Sequence, residues 1–212
     1  MGRFLIVKPM AALALLGLVI ANVGEARGQG EPTAAELAAS VEATANALGD
    51  RLANLSAAME DSSGILERAP EILDNMLASV REAHDAMAED SEIWTQLNDL
   101  IGEWNDHQKR VSDRARDTGN EALADLARQW QVRINETGVL RESISTERAR
   151  TTSLITQLES QREIVEELII FGSTDAVLTE MRGMQEQLAA LNGELQTMVD
   201  QVRRIEGGDL EG

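Results

Sequence analysis

Apolar side chains recur at alternating three- and four-residue steps through most of this chain. Val177, Met181, Met184, Leu188, Leu191, Leu195, Met198, Val202 and Ile205 keep the step without a miss. An apolar position every 3.5 residues draws one narrow seam along a helix, and so narrow a seam is buried only against another helix. An earlier frame runs from Val41 through Leu48, Leu55, Ser62, Leu73, Val80, Met87, Asp90, Trp94, Leu97 and Trp104 to Val111 with no change of phase. Between them a third frame passes through Leu126, Trp130, Arg133, Thr137, Leu140, Ile144, Glu147, Thr151, Leu158, Val165 and Leu168. The pattern predicts an all-α fold of coiled-coil material.

The frames are separated by turn residues. Thr33 with Glu36 forms a capping box at the start of the first frame. Asp117-Thr118-Gly119-Asn120 ends it with a glycine suited to positive φ and an asparagine suited to the next cap. Gly172-Ser173 interrupts the second arm, and Gly64 lies almost as far before the turn as Gly172 lies after it. Thr33 to Arg116 and Asn120 to Ile205 are nearly equal in length, so the leading expectation is a long antiparallel coiled-coil hairpin turning near 117–120. Each arm would measure roughly 125 Å when straight. In that register Leu97 meets Leu140, Trp94 meets Ile144, and Asp90 shares a layer with Glu147. The alternative is a four-helix bundle with breaks at Gly64 and Gly172, about half as long. Pro70 favours it, because proline is tolerated in a first helical turn and costs about 3 kcal/mol in an interior.

Residues 1–26 read as an export signal: Arg3 and Lys8, an apolar stretch from Met10 to Val23, and a Gly24-Glu25-Ala26 cleavage site. The remainder divides into a flexible lead at 27–32, a single helical coiled-coil domain at 33–206 and a disordered tail at 207–212. Residues 4–23 acting as an uncleaved inner-membrane anchor is the competing reading of the start. Arginine outnumbers lysine 17 to 2, a bias of GC-rich bacterial genomes, so the expected destination is the periplasm or the medium.

Composition narrows the chemistry. No cysteine and no tyrosine are present, with two Phe and three Trp, which excludes disulfides, thiol catalysis and an aromatic globular core. The net charge is −18 and becomes −19 once Arg3, Lys8 and Glu25 are removed, so nucleic acid and anionic lipid are repelled. His84 and His107 lack the Glu-x-x-His spacing of di-iron bundles and read as solvated helix-face residues. Met59, Met76, Met87, Met181, Met184 and Met198 sit on seams as core filler, so neither metal nor cofactor is expected. Asn54-Leu55-Ser56 and Asn135-Glu136-Thr137 match glycosylation sequons that matter only in a eukaryotic route.

One region departs from the acidic pattern. Residues 105–135 carry Lys109, Arg110, Arg114, Arg116, Arg128 and Arg133 against five acids, a balance of +1, while the rest of the mature chain carries −20. Trp104 and Trp130 lie in or beside it, and Trp104 is expected to face Arg133 in a cation-π contact. These eight residues form the candidate partner-docking tip; packing of the hairpin end with Arg–Asp pairing is the plainer explanation. The expected function is an exported, non-enzymatic scaffold, spacer or adaptor of the bacterial cell envelope. Its partners would be proteins, with self-association included and no membrane span if the signal is cleaved. A ligand-sensing or client-binding, chaperone-like periplasmic bundle is the alternative.

Overall fold

A computed structural model describes residues 33–60 and 64–207. The export signal, the lead, Ser62 and the tail from Gly208 lie outside the described residues. Those described form an all-α structure of five helices: α1 (Ala34–Glu60), α2 (Ile65–Ala86), α3 (Glu92–Thr118), α4 (Glu121–Ile170) and α5 (Thr174–Gly207). Among the described residues no helix is long and apolar enough to cross a membrane.

Local chemistry sets most boundaries. The Thr33–Glu36 box forms, with the Glu36 N–H donating to Thr33 Oγ1 at 3.1 Å and the Thr33 N–H donating to Glu36 Oε2 at 2.7 Å. Gly64, Gly119 and Gly172 have φ of 70°, 62° and 68°, the left-handed conformation that a Cβ disfavours. Asn120 caps α4 by accepting from the N–H groups of Ala122 and Leu123. At the end of α4, the Gly172 N–H donates to Ile169 O and the Ser173 N–H to Leu168 O, which satisfies carbonyls the helix leaves open. Pro70 falls inside α2, beyond its first turn.

The helix carrying the first frame is not continuous through residues 87–91, contrary to expectation. The chain leaves the helix after Ala86 and re-enters at Glu92, where Ser91 caps α3 by accepting from the Trp94 N–H at 3.2 Å. Met87 and Trp94 stay buried on either side of the joint, whereas Asp90 turns to solvent. Asp90 and Glu147 therefore do not share a seam layer; the five-residue joint has swung the aspartate out, removing a like-charge encounter.

The most extensive packing joins α1 to α5, α3 to α4 and α4 to α5. Helix α4 packs against α3, α2 and α5, and α1 packs against α5, α2 and α3. Exposed ion pairs mark the registers: Arg81–Glu159 at 2.7 Å and Asp74–Arg162 at 2.8 Å join α2 to α4. Arg51–Glu82 joins α1 to α2, Arg150–Glu194 at 3.4 Å joins α4 to α5, and Arg203–Glu42 at 2.7 Å joins α5 to α1. Such pairs add little stability each. The core is the apolar seam: Leu37, Leu97, Leu140, Met181, Leu188 and Leu195 are among its fully buried side chains. Burying a leucine of this kind is worth about 1.5–3 kcal/mol. Polar side chains also enter it, and Ser79, Thr137 and Thr151 donate to carbonyls of their own helices.

Candidate functional site

The hairpin end brings the predicted tip residues together on the last turns of α3 and the first of α4. Burial thins out there: past Trp104, the buried positions of α3 and early α4 are Ala115 and Ala127, with Thr137 next. Trp130 organises the aromatic part. Trp104 meets it edge-on with centroids 5.8 Å apart, the His107 ring lies tilted at 4.6 Å, and the Arg133 guanidinium stands 5.1 Å from its centroid. Arg133 thus uses Trp130 on its own helix rather than Trp104 across the seam, because residues three apart on a helix are neighbours. Burial lowers the His107 pKa and Arg110 lowers it further, which favours the neutral ring.

The six cations divide by partner. Arg116 bonds Asp113 at 2.6 Å and Arg128 pairs with Asp125, each three residues away. Lys109, Arg110 and Arg114 are exposed and make no ion pair among the described residues. A triad of solvated cations thus remains on α3.

Two further features fall outside the sequence expectations. At the α2–α3 joint, a pocket lies between His84, Met87, Glu89 and Trp94 on one side and Ser145, Arg148 and Thr152 on the other. His84 there has Nδ1 3.3 Å from Asp85 Oδ1 and Nε2 3.2 Å from Thr152 Oγ1, a carboxylate–imidazole–hydroxyl row. The Thr152 hydroxyl donates to Arg148 O, so its proton is committed to the helix. Metal chemistry has no obvious seat either: no group of three or more His, Asp or Glu among the described residues could hold an ion.

The second feature is Glu147, 5 % exposed in the α4 seam. Its Oε2 lies 3.5 Å from Arg150 and its Oε1 has no hydrogen-bond partner. Desolvation raises its pKa, helped by the Glu194 charge and opposed by Arg150. Its position was legible as a polar break in the seam, but the groove beside it was not, since that groove lies on the flanks of two helices. At the far end of α4, Ile170 and Phe171 are 82 % and 80 % exposed, apolar positions outside every heptad frame. No family model matches the chain, and no curated protein or solved structure matches it.

Proposed function

We propose that this protein is an exported, non-enzymatic helical scaffold or adaptor of the bacterial cell envelope that engages a protein partner through the α3–α4 tip. The observation that carries the reading is the set of unpaired, exposed cations Lys109, Arg110 and Arg114 on a chain whose remainder is strongly acidic. Cations left solvated at one end of an acidic rod orient it toward an acidic partner surface and speed encounter.

The architecture that best accommodates the contacts is a four-helix bundle of α1, α2, the second half of α4, and α5, with α3 and the first half of α4 extending beyond it. Packing of α1 on both α2 and α5, and of α4 on α5, supports the fold-back at Gly64 and Gly172. The bundle then serves as the body and the two-helix extension as the reach. Replacing Lys109, Arg110 and Arg114 by Ser should abolish cross-linking to an envelope partner with helicity unchanged, because exposed charges add little to folding. Undiminished cross-linking would return the tip to hairpin packing, and an intact mass retaining residues 10–23 would make the protein membrane-anchored.

A further inference from the structure

The groove between α4 and α5 beside Glu147 has a mixed polar and apolar lining and a volume of about 340 Å³, within the range of small-molecule sites. Glu142 and Glu147 approach it from α4, and Glu194 and Gln201 from α5, while Val139 and Met198 supply apolar wall. Two buried oxygens at this place, Glu147 Oε1 and Gln201 Oε1, have no hydrogen-bond partner among the described residues. A carboxylate that is 5 % exposed and half unpaired is costly unless a donor reaches it.

Charge specifies the donor. Three carboxylates line the groove, and the Arg150 guanidinium, the one ion-pair partner they have among the described residues, is shared at 3.5 Å with Glu147 and at 3.4 Å with Glu194. Two negative charges remain unmatched. The carboxylates do not converge on a point where a metal ion could sit. What fits is an extended cation with N–H donors at both ends and a methylene chain to lie along Val139 and Met198. We propose that this groove binds an aliphatic diamine, with one ammonium group donating to Glu147 and the other to the carboxylates of Glu142 or Glu194. The site lies on the bundle, away from the tip cations, so it stands or falls separately from the docking reading.

Methyl-labelled methionine in the full chain provides the readout, because Met198 lines the groove. Diaminobutane should shift the Met198 signal saturably, butylamine should do so more weakly, and butanediol should leave it unmoved. Glu147→Gln and Glu194→Gln should each weaken the diamine by at least about tenfold, the worth of a charge-assisted hydrogen bond. Glu163→Gln, an exposed carboxylate elsewhere on α4, should leave binding unchanged. Circular dichroism confirms that each variant is folded, and Glu194→Gln decides the matter if Glu147→Gln is not. The proposal is overturned if Met198 does not respond, if the folded variants bind like the parent, or if magnesium chloride reproduces the shift, since that marks a diffuse acidic surface.

Discussion

Trp104 and Trp130 hold the base of the tip together edge-to-face, their ring centroids 5.8 Å apart across α3 and α4. Trp104 is the buried member and Trp130 the half-buried one. Truncating a buried aromatic removes both transfer and packing energy, so Trp104→Ala should cost about 3 kcal/mol in chemical denaturation. Trp130→Ala should cost less and should release the His107 ring, visible as a rise in its titration midpoint by NMR.

The glycine at position 172 is required by backbone conformation alone, because nothing lies within 4 Å of where a Cβ would stand. Gly172→Ala should therefore lower stability by about 1 kcal/mol, and Gly172→Asn should recover part of that loss. A thermal melt of the two variants against the parent measures it. Equal melts for Ala and Asn would count against the left-handed turn.

Burial of Glu147 predicts a pH dependence whose sign follows from its raised pKa. In the window between its ordinary and its raised value the folded state holds the extra proton, so stability falls as pH rises through that window. Glu147→Gln removes the charge and keeps the shape. Its melting temperature should exceed the parent's at pH 7, and the gap should close as the pH drops below the ordinary carboxylate range.

Cross-linking distinguishes a straight hairpin from one folded back at Gly172. The chain has no native cysteine among its residues. Arg150→Cys with Glu194→Cys should be joined within one molecule by a short bismaleimide, since the two side chains face each other across α4 and α5. In a straight hairpin those positions lie far apart along the arms. Leu97→Cys with Leu140→Cys should oxidise in either arrangement, which makes it the control for the turn at Gly119.

Much of this fold is written in the seam. Leu97, Leu140, Leu158, Val165, Met181 and Leu188 are all heptad positions and all buried, and Gly119 with Asn120 makes the turn its residue types prescribe. The joint at 87–91 escaped because it contains neither Gly nor Pro, and because buried Met87 and Trp94 keep the heptad phase across it. Only Ser91 signals it, as a cap that outcompetes helix continuation. The tip was half legible: charge counting finds its cations, but which of them are neutralised depends on neighbours three residues away. Side-chain placement hid the Glu147 groove, since Val139, Ser143 and Thr197 belong to no seam and acquire meaning only when α5 lies against α4.

The tip hangs on unequal supports. Helix α4 runs through 50 residues without interruption, about 75 Å, whereas the opposing α2–α3 arm is jointed between Ala86 and Glu92. A sideways load on Lys109 or Arg114 meets a stiff beam on one side and an articulation on the other. The deflection is then taken up at the joint, opening or closing the crevice between His84, Trp94 and Arg148. In the proposed arrangement a pull at the cations would be felt as a change in that crevice, with the pivot near Asp90.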